Sequence, residues 1–166
     1  MKVDALIMGG GKGTRMKWIE EKTLIPINGK PMIYWVIHAV QSAKHVREIF
    51  IATSDAAPKT KTYVQQCGFK TIETPGRGFH EDMKYAILTQ KIKSHVLVVA
   101  GDLPLLTGEV IDTIIEHYAG LGVPSLAVMI PLELFLEYGL VPSIIFTIKG
   151  KKVVPAGLNI IDGRYI

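Results

Sequence analysis

Val3-Asp4-Ala5-Leu6-Ile7-Met8 is an almost unbroken apolar run closed by Gly9-Gly10-Gly11. A short run of this kind, without helical spacing, predicts a strand buried on both faces. Beyond a Gly29-Lys30 turn, Ile33, Val36, Ile37 and Val40 recur at three- and four-residue intervals, which predicts a helix with Pro31 in its first turn. The rhythm then repeats. Residues 48–53 read as a strand, 58–66 as a helix ended by Gly68, 69–73 as a strand and 81–91 as a helix. His95-Val96-Leu97-Val98-Val99-Ala100 is the strongest strand of the chain and is broken by Gly101. A helix carrying Val110, Ile111, Ile114 and Ile115 follows, and residues 125–130 read as a further strand. Strands alternating with helices imply right-handed crossovers and a mostly parallel sheet covered on both faces, a three-layer α/β/α Rossmann-like fold. After Pro131 the pattern changes. Residues 143–149, 153–155 and 158–161, with a Gly150-Lys151 turn, predict short antiparallel edge strands.

Length and composition narrow the picture. The 166 residues, 48% hydrophobic and 20% charged, suit a single domain spanning 1–166 and lie far from the composition of disorder. Nineteen Lys and Arg against fifteen Asp and Glu give a net charge of +4, enough to favour a phosphate-bearing ligand. The cations lie beside glycines in loops and form no basic stripe with aromatics, so nucleic acid is not the expected partner. The lone Cys67 has no intrachain disulfide partner and reads as a small buried hydrophobe. No apolar run approaches the roughly 18 residues of a membrane span, and no secretory signal opens the chain. A cytoplasmic setting is the expectation.

In open α/β sheets ligands bind beyond the carboxyl ends of the strands, which directs attention to the loops after Met8, Thr53, Glu73 and Ala100. The first, Gly9-Gly10-Gly11-Lys12-Gly13-Thr14-Arg15, lets bare backbone approach an anion while Lys12 and Arg15 add positive charge, as in a phosphate cradle. Its register fits neither familiar nucleotide fingerprint. The dinucleotide motif fails at its third glycine, and Lys12-Gly13 stands where a P-loop needs Lys-Ser or Lys-Thr. Asp102, just after the strongest strand, is either a turn cap or a carboxylate placed to hold Mg²⁺ on phosphate oxygens. Glu81 and Asp82 read as first-turn helix charges as readily as ligands. His80, beside Gly76-Arg77-Gly78, reads as a surface residue, and the other histidines show no metal spacing.

Met8-Gly9-Gly10-Gly11-Lys12-Gly13-Thr14-Arg15-Met16, Glu21-Lys22-Thr23-Leu24-Ile25 and Gly29-Lys30-Pro31 together resemble the opening of the sugar-phosphate and cofactor nucleotidyltransferases. A narrower set is similar to the archaeal GTP:adenosylcobinamide-phosphate guanylyltransferase family, and it runs nearly the whole chain. It comprises Ile51-Ala52-Thr53-Ser54 with Pro58-Lys59-Thr60-Lys61, Leu126 to Pro131, Pro142-Ser143 and Val154-Pro155-Ala156-Gly157-Leu158-Asn159.

The resemblance implies that the phosphate of adenosylcobinamide phosphate attacks the α-phosphorus of GTP, releasing pyrophosphate in a late step of cobalamin assembly. By position, Met8, Gly9, Gly10, Gly11, Gly13 and Thr14 would hold GTP, with Lys12 and Arg15 on the triphosphate and Lys22 offsetting charge at the α-phosphate. Asp102 would carry Mg²⁺. By analogy with related enzymes, backbone groups of Thr53, Ser54 and the Gly76-Arg77-Gly78 turn would meet the guanine. Pro155, Gly157 and Asn159 match a motif on the acceptor side, where a turn before an edge strand is the plainer alternative. The chain departs from the family in having Gly9 where Ala is common. It also ends at Ile166, soon after the Asn159 motif, where members usually continue with residues that help close the site or form a homodimer. Two alternatives stay open: another nucleotidyltransferase, such as a molybdenum-cofactor or sugar-phosphate enzyme, and a non-catalytic GTP-binding module.

Overall fold

The computed structural model describes residues 1–11 and 20–166. In chain order the elements are β1 (Val3–Met8), a 3₁₀ turn (Lys22–Leu24), β2 (Pro26–Ile27), β3 (Lys30–Pro31), α1 (Met32–Ser42), β4 (Val46–Ser54), α2 (Pro58–Gln66) and β5 (Thr71–Thr74). They continue with α3 (Phe79–Thr89), β6 (His95–Ala100), α4 (Gly108–Leu121), β7 (Ser125–Pro131), α5 (Leu132–Glu137), β8 (Phe146–Ile148), β9 (Lys151–Asp162) and a closing 3₁₀ turn (Gly163–Tyr165).

One sheet runs in the order β5-β4-β1-β6-β9-β7, with β8 on β9. β5, β4, β1 and β6 are mutually parallel, whereas β9 is antiparallel to β6, β7 and β8. Alternation along the strands builds two cores. Val3, Ala5 and Ile7 of β1 with Leu97 and Val99 of β6 meet Val36 and Val40 of α1, Val64 of α2 and Ile111 and Ile115 of α4. On the opposite face Leu6, Val96 and Val98 meet Met83, Ala86 and Ile87 of α3. Strands covered on both faces leave no polar side, which is why β1 and β6 appear in the sequence as continuous apolar runs. The three-layer arrangement and the mostly parallel sheet agree with the sequence.

The tail differs from expectation. Residues 153–155 and 158–161 are not separate short strands but parts of the single twelve-residue β9, and β9 lies inside the sheet, between β6 and β7. Pairing is the reason, since β9 finds an antiparallel partner on each side, from Val99↔Leu158 to His95↔Asp162 on β6 and from Pro131↔Val153 to Ser125↔Ile161 on β7. Val153 also pairs with Phe146, on the side away from β7. β8 therefore lies along the same edge of β9 as β6, beyond the carboxyl end of β6.

Smaller differences have local causes. Pro31 caps α1 instead of entering it, because it is held in the β2–β3 hairpin, whose turn is Asn28-Gly29 with φ of +48° and +73°. Cys67 is exposed. The helix ends at Gln66 and Gly68 turns the chain at φ +83°, carrying Cys67 away from the buried stripe of Thr60 and Val64. Among the described residues no helix is long and apolar enough to cross a membrane.

Candidate nucleotide site

The loops after β5, β4, β1 and β6 lie side by side because their strands do, and a cavity of about 510 Å³ opens among them. Its lining includes Met8, Gly10 and Gly11 from the β1 loop, Lys22 and Thr23 from the 3₁₀ turn, and Gly76, Arg77, Gly78, Phe79 and Asp82 from the β5–α3 connection. Among the described residues Ala52, Thr74, Ala100, Gly101 and Asp102 also line it. This is the crevice at the switch point of the sheet, where β4 and β6 flank β1.

Close backbone approach holds the first loop in place. The Gly9 N–H donates to the Ala52 carbonyl at 2.8 Å, and the Ser54 hydroxyl donates to the Gly10 carbonyl at 2.7 Å. A Cβ on Gly10 would stand 2.9 Å from the Ser54 nitrogen, so only glycine lets these segments meet. Among the described residues nothing lies within 4 Å of an ideal Cβ on Gly11. On the other side the Gly101 N–H donates to the Met8 carbonyl at 3.0 Å, and a Cβ there would come within 2.8 Å of that oxygen. Asp102 is thereby brought against the glycine loop.

Lys22 reaches the cavity through its own support. The Glu21 carboxylate accepts from the Lys59 and Thr60 backbone N–H groups at 2.8 and 2.7 Å and from the Thr60 hydroxyl, serving as an N-terminal cap of α2 supplied from a distant loop. Thr23 and Thr60 hydroxyls pair at 2.8 Å. With residues on both sides anchored to α2, the Lys22 ammonium donates to the Asp102 carboxylate, the two side chains being 36% and 31% exposed. A cation and a carboxylate thus share one wall of the cavity.

The structure places the residues expected from the sequence in three groups. Met8, Gly10, Gly11, Lys22, Gly76, Gly78 and Asp102 line the cavity. Gly9, Thr53 and Ser54 are buried behind it, Gly9 under Ile33 and Ala52, Ser54 as the brace of the glycine loop. Pro155, Gly157 and Asn159 lie on β9 outside the lining. Asn159 is paired in mid-sheet with Val98 and Ala127, and Gly157 faces Ala100 and Leu103 at 3.1 and 3.4 Å from an ideal Cβ. Lys12, Gly13, Thr14 and Arg15 lie outside the described residues. His80 is exposed and away from the lining. Sequence reasoning missed Thr74 and Phe79, and it left Asp82 open between a first-turn helix charge and a ligand. The available signal was a carboxylate one turn into the helix that follows a Gly-x-Gly loop.

The donor set bears on Mg²⁺. Among the described residues no three His, Cys, Asp or Glu side chains cluster as a metal cage. A partly exposed carboxylate on a crevice of this size suits Mg²⁺, which keeps several waters and is held by one or two carboxylates plus substrate phosphates. Asp102 fits that role.

A doubly covered parallel sheet with a glycine loop after β1 and a Lys–Asp pair across it defines an α/β nucleotide-handling transferase. The MobA-like NTP transferase domain family matches residues 5–138, and the chain belongs to this family of nucleotidyltransferases. The adenosylcobinamide-phosphate guanylyltransferase of Methanocaldococcus jannaschii is 37% identical, the match covering 98% of this chain and 82% of that one. The bifunctional protein GlmU of Exiguobacterium sibiricum is 34% identical over 71% of this chain and 26% of its own length. Among solved structures, CMP:2-keto-3-deoxy-manno-octonic acid synthetase complexed with CTP superposes with a TM-score of 0.70 at 19% identity, covering 98% of this chain and 75% of that one. That likeness concerns the fold.

Proposed function

We propose that the chain transfers GMP from GTP to adenosylcobinamide phosphate, giving adenosylcobinamide-GDP and pyrophosphate, as a cytoplasmic step of cobalamin assembly. The observation that carries this reading is the extent of the likeness to the M. jannaschii guanylyltransferase. It continues past residue 138, where the family match ends, and takes in the β8–β9 hairpin. That hairpin stands at the carboxyl end of the parallel strands, the side from which an acceptor would approach Asp102.

The acceptor phosphate is already an anion, so no general base is needed. The protein has to align the two phosphates and offset charge on the departing pyrophosphate. Lys22 supplies a fixed cation at the cavity wall, and Gly10 and Gly11 leave bare backbone for phosphate oxygens. Asp102 would hold Mg²⁺, which when bound neutralises phosphate charge. Pyrophosphate release with Mg²⁺ and each of the four nucleoside triphosphates, with and without adenosylcobinamide phosphate, tests the reading. Release only with GTP and the corrinoid together is expected. Release with GTP and a different acceptor, or with another nucleotide, would overturn the specific assignment.

A further inference from the structure

Asp82 has a place that its position in the sequence does not announce. It is 6% exposed, yet it lines the cavity. Its Oδ1 accepts from the Gly76 and Arg77 backbone N–H groups at 2.9 and 3.1 Å, across a loop whose two glycines have φ of +71° and +114°. No described residue donates to its Oδ2. One oxygen is thus fixed by the backbone, and the other is an acceptor without a donor among the described residues, on a side chain that lines the crevice. An acceptor so placed gains a hydrogen bond when a ligand brings a donor to it.

The sheet sets the distance of this acceptor from the chemistry. Asp102 follows β6, and the Gly76-Arg77-Gly78 loop that Asp82 braces follows β5, with β1 and β4 between them. Three strand spacings amount to about 14 Å, a length of the order of a nucleoside with its phosphates extended. Ser54 bridges the two regions, donating to the Gly10 carbonyl and lying with its Cβ 3.5 Å from an ideal Cβ on Gly76. Phe79 and Met8 add apolar wall between the ends. A nucleotide whose phosphates lie on Gly10, Gly11 and Lys22 would therefore carry its base to Asp82.

We infer that Asp82 reads the base, its Oδ2 accepting from the N1–H and 2-amino edge of guanine. The inference rests on the GTP reading above and names the residue that makes it selective. Guanine presents two donors along that edge. Adenine presents a lone pair at N1, which a carboxylate repels, and xanthine replaces the amino group with a carbonyl. Asp82→Asn keeps an oxygen for the Gly76 and Arg77 amides and turns an NH₂ donor toward the base, the complement of xanthine.

Binding of GTP, ITP, XTP and ATP to wild type and Asp82→Asn, with melting curves alongside, tests this. Wild type is expected to prefer GTP over ITP by roughly tenfold or more and over ATP by roughly a hundredfold, since an unpaired buried polar group is strongly disfavoured. The variant is expected to lose most GTP affinity and to bind XTP better than GTP. A GTP-selective wild type whose variant weakens for every nucleotide alike would make Asp82 only a loop anchor and overturn the inference. A wild type without preference for GTP would overturn the guanylyltransferase reading itself. A crystal structure of wild type with GTP provides the second measurement. The Asp82 carboxylate within about 3.2 Å of N1 or N2 supports the assignment, and a base edge turned elsewhere removes it.

Discussion

At the scale of single residues, the candidate site divides charge from space. Lys22 is the described cation that both faces the cavity and meets Asp102, so its loss should act on developing charge and spare the fold. Lys22→Ala is expected to lower the rate of pyrophosphate release by roughly a hundredfold, on the scale of a lost transition-state donor, with little change in melting temperature. Unchanged turnover would remove its assigned role. Asp102→Asn should instead raise the Mg²⁺ concentration needed for half-maximal activity, read from a metal titration. The glycines separate differently. Gly10→Ala pushes a methyl against the Ser54 backbone and should cost about 1–3 kcal/mol of stability in denaturant unfolding. Gly11→Ala should fold as wild type, because among the described residues nothing lies within 4 Å of the added carbon. Gly11→Asp should also fold and lose nucleotide binding, since it adds a negative charge to the open wall of the cradle.

At the scale of elements, α2 does more than cover the sheet. Its first-turn N–H groups at Lys59 and Thr60 are satisfied by Glu21, one residue before Lys22, so the helix end and the loop that carries Lys22 are locked together. Glu21→Ala is expected to cost about 1 kcal/mol, the usual value of a lost cap, and also to lower turnover by loosening Lys22. Glu21→Gln, which keeps one acceptor oxygen, should restore part of both. Loss of stability with full turnover would show that Lys22 is positioned without it. The sequence offers no hint of this contact. The cap residue and the helix are 38 positions apart for Lys59 and 39 for Thr60, and no local pattern links them. The ends of α2 itself were readable because Pro58 and Gly68 act on their own backbone.

At the scale of the whole molecule, one contribution to stability against acid sits at the end of β9, where the chain closes its sheet. Hydrogen bonding to Arg164 holds the Asp162 carboxyl at about 2, with burial opposing and His95 nearby helping. In the unfolded chain such a carboxyl titrates near about 3.9. The folded state therefore binds that proton less tightly, and the stabilisation from Asp162 is fully present above about pH 4 and is lost as the pH falls toward 2. Unfolding followed from pH 5 to pH 2 should show wild type losing stability more steeply over that window than Asp162→Asn. Parallel curves would overturn the assignment.

The sequence by itself determined the parallel half of this protein, its alternation of strand and helix, the glycine loop, and the two ends of the crevice at Gly76 and Asp102. Those features are local. A strand covered on both faces must be apolar throughout, and a loop that meets an anion must be bare. Only the tertiary structure decided that β9 is one interior strand, because its two partners lie elsewhere in the chain. Only the tertiary structure placed Pro155, Gly157 and Asn159 on β9, outside the cavity's lining. Asp82 marks the same boundary. Its sequence position suits a first-turn helix charge, and it becomes a cavity acceptor because the fold buries one of its oxygens against two amides and leaves the other facing the crevice.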